Sequence, residues 1–188
     1  MTRIVDTKQI TVFQLRQLAE LLVAAFREMA PNAWPTVEAA EAEVAESLEP
    51  DRIALVALDR RDTVVGWIGS IPGYEGRVWE VHPLAVRPDV QRSGIGRALV
   101  DRLEAEVRKR GGLTLWLGSD DTEGMTNLAG IDLYPDPLAK LAKIRSVRDH
   151  PFVFYQKLGF ALAGVVPDAN GFGKPDILLA KRVSLIGT

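Results

Sequence analysis

Apolar residues recur at steps of three and four in three long stretches of the chain, and each stretch is predicted to be a helix. The first runs from Thr11 to Met29 and the second from Thr36 to Leu48. The third begins near Gly94 and ends at the pair Gly111-Gly112. Thr11 (or Thr7) and Thr36 suit the N-cap position, and a glycine suits the C-terminal end of a helix.

Shorter apolar and β-branched runs predict strands between and after these helices. The predicted strands are Arg52–Leu58, Thr63–Ile71, Arg77–Val86, Leu113–Ser119, Phe160–Val166 and Ile177–Val183. The polar "DRRD" between the first two favours a hairpin. Two more helical pieces are predicted at Pro137–Arg148 and Pro151–Gly159. This mixed order predicts an α/β or α+β fold with helices on both faces of the sheet.

Composition narrows the class of protein. The chain has 188 residues, 47% of them hydrophobic, and a net charge of −2, which gives no reason to expect nucleic acid or a membrane surface as a partner. No cysteine is present, which excludes disulfides, thiolate metal sites and a cysteine nucleophile, and we predict no metal site. The sequence lacks a signal-peptide pattern and an apolar run of about 20 residues, so we expect a soluble, cytoplasmic protein.

Two glycines stand in "QRSGIG" (Gln91 to Gly96), between an apolar run and the third helix. The first N–H groups of a helix have no partner inside it and attract a phosphate. Gly94 and Gly96 would let that phosphate approach, and Arg92 and Arg97 add positive charge. The spacing fits neither the P-loop nor the dinucleotide fingerprint. The six letters alone are equally compatible with a simple flexible turn.

The wider context resembles a known family. The blocks "WEVHPLAVRPDVQRSGIG", "LWLGSDD", "DLYP", "HPFVFYQKLGF" and "PDANGFGKPDILLAKR", between Trp79 and Arg182, resemble the GNAT N-acetyltransferases, and among them the aminoglycoside 6'-N-acetyltransferases. The resemblance implies one acetyltransferase domain over residues 1–188. It also implies the GNAT fold, a twisted, mostly antiparallel mixed sheet with helices on both faces and splayed central strands.

The resemblance further implies that acetyl-CoA is the cofactor, with its pyrophosphate on the backbone amides of the glycine loop. The residues expected to bind it lie at the end of the third strand, in that loop and on the late helix. They are Leu84, Val86, Gln91, Arg92, Ser93, Gly94, Ile95, Gly96, Arg97 and Tyr155.

There are four catalytic candidates: the resemblance implies the roles of Glu80, Leu84 and Tyr155, and the position of His82 on the strand of Glu80 adds the fourth. Glu80 would be the general base, although it could instead pair with a cation such as Arg77. His82 shares a strand face with Glu80, because side chains alternate, and is either a second base or water-holder or a structural histidine. The backbone N–H of Leu84 would bind the carbonyl oxygen. Tyr155 would protonate the leaving thiolate, unless it is only a core aromatic among neighbouring phenylalanines.

Acidic residues cluster in two segments without Lys or Arg, one between Arg27 and Arg52 and one over residues 111–139. A cleft between such segments would concentrate a polycation such as an aminoglycoside. For the first segment, however, a solvated helix face is the more ordinary explanation. The candidate substrate contacts are Trp34, Tyr74, Glu80, Asp120, Asp121, Asp136 and Asp168.

The resemblance therefore implies acetyl transfer from acetyl-CoA to the 6'-amine of aminoglycoside antibiotics, which would confer resistance. The alternative is an acetyltransferase for another amine, such as a polyamine, a peptide or a protein amine. A non-catalytic acyl-CoA-binding module is a third possibility, against which Glu80 and Tyr155 argue. A homodimer is expected from the resemblance.

Overall fold

The computed structural model describes residues 2–28, 30 and 32–184. The chain divides into two compact units. The first comprises Met1–Leu115 with Val183–Thr188, and the second comprises Trp116–Arg182. The single domain expected over residues 1–188 stays a prediction.

Four antiparallel strands form the sheet of the first unit. They are β1 (Arg3–Asp6), β2 (Ile53–Leu58), β3 (Val64–Gly73) and β4 (Val78–Val86), and each pairs with the next. The predicted hairpin is confirmed as β2–β3. Strand β1 was not predicted, because four residues are too few to show an alternating pattern.

Helix α1 (Val12–Phe26) and helix α2 (Val37–Ser47) follow the predicted boundaries closely, although the predicted end of the first helix, Met29, lies outside the described residues. The Thr11 hydroxyl accepts a hydrogen bond from the Gln14 N–H at 3.2 Å, and the Gln14 side chain accepts from the Thr11 N–H at 2.9 Å. This reciprocal capping box explains why α1 begins where it does. The Thr36 hydroxyl caps α2, as predicted.

Helix α3 (Ile95–Lys109) buries an apolar stripe against the sheet and ends before Gly111, as predicted. A Cβ on Gly66 of β3 would lie 2.9 Å from the Ile95 Cγ2, so the helix approaches the strand more closely than an alanine there would allow. The buried residues of the stripe are Leu99, Val100, Leu103 and Val107. This packing holds the start of α3 beside the sheet, and the glycine loop with it.

The second unit contains most of β5 (Thr114–Asp120), and also β6 (Ala161–Val166) and β7 (Asp176–Arg182). Within it, β7 lies between β5 and β6 and pairs antiparallel with β6. Its helices are α4 (Pro137–Leu141) and α5 (Phe152–Lys157).

The predicted helix over Pro137–Arg148 is wrong beyond the short α4. The Asn127 side chain donates to the Lys143 carbonyl at 3.3 Å and accepts from the Arg145 N–H, so these backbone groups bond outside a helix. An isolated bridge between Thr126 and Ser146 continues this pairing. The sequence after Leu141 has a helical pattern, but its backbone is hydrogen-bonded to the loop that contains Thr126 and Asn127.

The predicted fold class is confirmed as a mixed α/β fold with seven strands, mostly antiparallel, in the described chain. Across residues 2–28, 30 and 32–184, no helix has the combined length and hydrophobicity needed to cross a bilayer.

Candidate active site

Burial alternates along β4 as its sequence predicts. Trp79 and Val81 are buried, whereas Glu80, His82 and Leu84 lie on the partly exposed face. The strand therefore presents a carboxylate, an imidazole and a main-chain segment on one side, which is the arrangement that the sequence indicated for the chemistry.

A bulge interrupts β4 between Glu80 and Leu84. The register of β3 and β4 shifts between Ile68 and Ser70, where β4 carries one more residue than β3 at His82-Pro83. A Cβ added to Gly69 of β3 would lie 2.3 Å from the His82 carbonyl oxygen. The backbone of β3 therefore approaches His82 so closely that only glycine fits at position 69.

Helix α2 adds a residue that the sequence analysis did not single out. The Oε2 of Glu43 lies 3.8 Å from the Nε2 of His82, and the two side chains are 15% and 42% exposed. A solvated helix face, the more ordinary explanation for the acidic segment that contains Glu43, does not describe this residue. Its spacing was the available signal, since it stands three positions after Ala40 and one before Val44, which are both buried.

Glu43 and His82 shift each other's pKa. The Glu43 carboxylate raises the pKa of His82, and the charge of Glu80 adds to the effect, while burial and Arg52 oppose it. In return, His82 holds the pKa of Glu43 below its ordinary value, with a further contribution from Arg52. His82 therefore takes a proton more readily than a free imidazole does.

The two aromatic substrate candidates of the first unit differ in environment. Trp34 is half-buried, and its ring meets Phe26 edge-on at 4.8 Å and lies 6.1 Å from the ring of His82. Tyr74 lies at the β3–β4 turn and is 80% exposed. Trp34 thus combines a packing role with a position next to the site, while Tyr74 is open to solvent.

The glycine loop leaves the N-terminus of α3 open. Gly94 has φ of 91°, in the left-handed region, and no described side chain caps the helix. The Ala98 N–H donates to the Gly94 carbonyl at 3.0 Å. The Ser93 hydroxyl donates to the Val90 carbonyl at 2.6 Å and does not cap the helix. A cavity of about 190 Å³ lies here, lined by Thr2, Ile4, Ala57, Ser93, Gly94, Ile95 and Ala98.

The uncapped end of the helix is chemically suited to an anion. The first N–H groups of a 15-residue helix have no partner inside it, and the helix dipole favours negative charge there. A Cβ at Gly94 would meet no heavy atom of the described chain within 4 Å. The glycine is therefore needed for its backbone angle, and the space beside it is free for a ligand.

Tyr155 lies on α5 in an aromatic cluster of the second unit. Its ring is edge-on to Phe154 at 5.1 Å and to Phe160 at 5.5 Å. Burial raises the pKa of Tyr155 well above its ordinary value, so the phenol stays protonated at neutral pH. The packing matches the core interpretation, and the protonated hydroxyl matches the role of a proton donor.

Two adjacent aspartates at the end of β5 have different environments. Asp120 is exposed, and its carboxylate accepts a hydrogen bond from the Asn170 amide at 2.5 Å. Asp121 is fully buried, and its two oxygens accept from the N–H groups of Met125 and Thr126 and from the Thr126 hydroxyl. The prediction that Asp121 contacts substrate is wrong, because its carboxylate is used inside the loop.

The remaining predicted acidic contacts lie in loops. The Asp168 carboxylate accepts a hydrogen bond from the Gly173 N–H at 2.7 Å, and the backbone of Asp168 has a φ of 56°. Asp168 therefore shapes the loop before β7. Asp136 is exposed at the start of α4. Asp120 and Asp136 are therefore the most accessible carboxylates among the candidates of the second unit.

Comparison with known proteins places this geometry in a family. The model of the Acetyltransferase (GNAT) family matches residues 15–136, which include the strand of Glu80 and the glycine loop. The chain belongs to the GNAT acetyltransferase family. The resemblance inferred from the sequence is confirmed.

Two solved structures are similar to this GNAT protein over its whole length. One is an aminoglycoside 6'-N-acetyltransferase complexed with coenzyme A, 39% identical, with 99% of each chain covered and a TM-score of 0.90. The other is the aminoglycoside 6'-N-acetyltransferase from Enterococcus faecium, with the same identity and coverage and a TM-score of 0.88. Both similarities extend past residue 136, through Tyr155 and the late loops.

A third relative matches over a shorter range. The ribosomal protein bS18-alanine N-acetyltransferase of Escherichia coli K12 is 49% identical over 51 residues, which are 27% of this chain. The match spans 32% of that relative's length. It supports the GNAT assignment locally.

Proposed function

We propose that this GNAT protein transfers an acetyl group from acetyl-CoA to the 6'-amine of aminoglycoside antibiotics and so confers resistance to them. The observation that carries the proposal is the whole-chain similarity, at 39% identity and a TM-score of 0.90, to an aminoglycoside 6'-N-acetyltransferase complexed with coenzyme A.

The glycine loop and the start of α3 would hold acetyl-CoA, which supplies the acetyl group as a thioester. Main-chain N–H groups near Gly94 and Gly96 would bind the pyrophosphate, and Arg92 and Arg97 would add positive charge. The open cavity of about 190 Å³ at this loop supports the assignment.

Strand β4 would carry the acyl-transfer chemistry. Glu80 accepts a proton from the acceptor amine, directly or through a water, as the new N–C bond forms. The Leu84 N–H donates a hydrogen bond to the oxygen of the acetyl carbonyl, where negative charge develops. Leu84 is paired with Ile68 at the bulge, which positions this segment of backbone.

Tyr155 would complete the reaction by donating its hydroxyl proton to the sulfur as the C–S bond breaks. A protonated phenol can donate its hydrogen to the sulfur as negative charge develops there. The raised pKa of Tyr155 means that the hydroxyl carries its proton at neutral pH.

Carboxylates and aromatic rings would bind the acceptor. Aminoglycosides are polycations, so Glu80, Asp120 and Asp136 would attract their ammonium groups. Trp34 and Tyr74 offer ring faces to a sugar. Asp168 would contribute through the shape of its loop.

An assay of CoA release tests the proposal. Purified protein with acetyl-CoA should release free thiol when kanamycin or tobramycin is added, and mass spectrometry should show one added acetyl group. An aminoglycoside with a hydroxyl at the 6' position is the matched control and should give no product. Absence of turnover with every 6'-amino aminoglycoside would overturn the proposal.

The same assay distinguishes another amine as the acceptor. The 51-residue match to an alanine N-acetyltransferase motivates adding a peptide with an N-terminal alanine, together with a polyamine. A kcat/KM for either compound that exceeds the values for aminoglycosides would favour that acceptor class.

The homodimer and the cytoplasmic location belong to the proposal as well. Light scattering of the purified protein should give twice the 20.6 kDa mass of the chain. A monomer at micromolar concentration would remove the homodimer from the proposal. Fractionation of cells that express the protein should place it in the cytoplasm.

A further inference from the structure

Glu43 differs from the other carboxylates of α2. Glu41 and Glu46 are exposed, whereas Glu43 is 15% exposed and its Oε2 lies 3.8 Å from the His82 Nε2. That distance is in the range of an ion pair and longer than a hydrogen bond, which is common for catalytic contacts in the absence of substrate. Helix α2 therefore places the Glu43 carboxylate next to the imidazole of His82 on β4.

The contact with Glu43 determines which imidazole nitrogen of His82 can accept a proton. When the Nε2–H of a neutral histidine donates to a carboxylate, the other nitrogen, Nδ1, must be the acceptor. The charged groups that act on His82 are Glu43 from α2, Glu80 on its own strand, and Arg52 before β2. The neutral ring of Trp34 packs nearby.

We propose that Glu43 is a positioning residue for acetyl transfer, because it orients His82 so that the Nδ1 of the imidazole accepts a proton of the acceptor amine. This inference rests on the proposed function. The proton moves to Nδ1 directly or through one water as the N–C bond forms, and His82 later releases it to solvent. Glu80 and His82 are then two proton acceptors on one strand face, and Glu43 determines which imidazole nitrogen is available.

The titration of the site supports the assignment. Glu43 raises the pKa of His82 above its ordinary value, which makes the ring a stronger base close to neutral pH. Glu80 acts on His82 through its charge, whereas Glu43 also contacts one particular ring nitrogen, Nε2. The contact with Glu43 therefore has a function that the family motif on β4 does not explain.

The variant Glu43→Gln tests the inference, with Glu41→Gln as the matched control. Both remove one negative charge from the same helix, but Glu41 is exposed. The chain has two histidines, so NMR of the imidazole resonances follows His82 and His150 separately. We expect the pKa of His82 to fall in Glu43→Gln and to stay unchanged in Glu41→Gln.

Kinetics test the proton step in the same variants. His82 must be neutral to accept a proton, so the acid limb of kcat/KM should move to lower pH in Glu43→Gln. At pH 7 we expect kcat to fall roughly tenfold with little change in KM, less than the ~10²–10⁴ expected for loss of a base. Glu43→Asp, which keeps the charge, should recover part of the rate.

A double-variant cycle completes the test. If Glu43 acts through His82, adding Glu43→Gln to His82→Asn should cost no further activity. Turnover with an acid limb that does not move, or an additive loss in the double variant, would overturn the inference and leave the proposed function intact. Absence of turnover with every amine would overturn both.

Discussion

The Nε2 of His150 lies 3.1 Å from the carbonyl oxygen of Asp120, the last residue of β5. On the other side of the ring, the Phe152 N–H donates to the Nδ1 at 3.1 Å. His150 is almost fully buried, so it joins the end of β5 to the start of α5, the helix that carries Tyr155. The ring must be neutral, with its proton on Nε2, to make both bonds.

Stability should therefore depend on the protonation of His150. Burial lowers the pKa of His150, and the neighbouring Asp121 charge opposes the shift. The unfolded chain then binds more protons as pH falls below about 6.5, so the stabilising contribution of His150 is present at pH 7 and is lost toward the folded-state pKa. The variant His150→Gln keeps a donor for Asp120 and cannot titrate.

Denaturant unfolding of both proteins between pH 5 and 7.5 measures this contribution. We expect the difference in unfolding free energy, native minus variant, to be larger at pH 7 than at pH 5. A difference that is the same at every pH would show that folding does not lower the pKa of His150.

Tyr155→Phe should lower kcat by about 10²-fold or more with little effect on KM, because a proton donor to the leaving group acts in the transition state. Tyr134→Phe is the control, since Tyr134 is the exposed tyrosine of the same unit. Equal kcat values for Tyr155→Phe and the native protein would show that the phenol is not the donor.

Absorbance titration gives an independent measure of Tyr155. The chain has three tyrosines, and burial should make Tyr155 ionise at a pH well above the ordinary tyrosine range. We expect that late transition to disappear in Tyr155→Phe and to persist in Tyr134→Phe.

Gly94→Ala should weaken coenzyme A binding by at least about tenfold, measured by calorimetry. The added methyl would occupy the open space where a phosphate is proposed to bind, and alanine at φ of 91° is strained by about 1 kcal/mol. Gly111→Ala, at the opposite end of α3, is the control because its φ is 79° and its surroundings are equally open. It should lose similar stability and keep the coenzyme affinity, so equal affinities for both variants would contradict the phosphate assignment.

Asp121→Asn should lower the unfolding free energy by about 2 to 3 kcal/mol, because a buried carboxylate that accepts several hydrogen bonds is replaced by an amide that also brings donors. Asp136→Asn, at an exposed carboxylate, should leave stability unchanged and raise the KM for aminoglycosides. A larger effect of Asp121→Asn on KM than on stability would restore Asp121 as a substrate contact.

Most of the helices and strands could be predicted because the capping residues and the spacing of apolar residues agree with the observed burial. Thr11 and Gln14 fix the start of α1 by a bond pattern that sequence spacing reveals. The segment after Leu141 could not be predicted, because its backbone is hydrogen-bonded by Asn127, which stands 16 residues before Lys143 and 18 before Arg145. Such a contact has no local signature.

The candidate site could be predicted only in part for the same reason. Alternation on β4 placed Glu80 and His82 on one face, but no pattern within α2 showed that Glu43 would meet His82 across the fold. Likewise, Asp120 and Asp121 are neighbours of one residue type, and only the loop bonds from Thr126 show which carboxylate is buried.

The close approach of Gly69 to the His82 carbonyl oxygen, at 2.3 Å from a hypothetical Cβ, has a practical consequence for engineering. A mutant library that aims to change which amines are accepted should keep codon 69 unchanged, since every other amino acid would displace the strand beneath the reacting groups. Randomising the codons of Trp34 and Tyr74 instead would vary the rim of the site while leaving its backbone template in place.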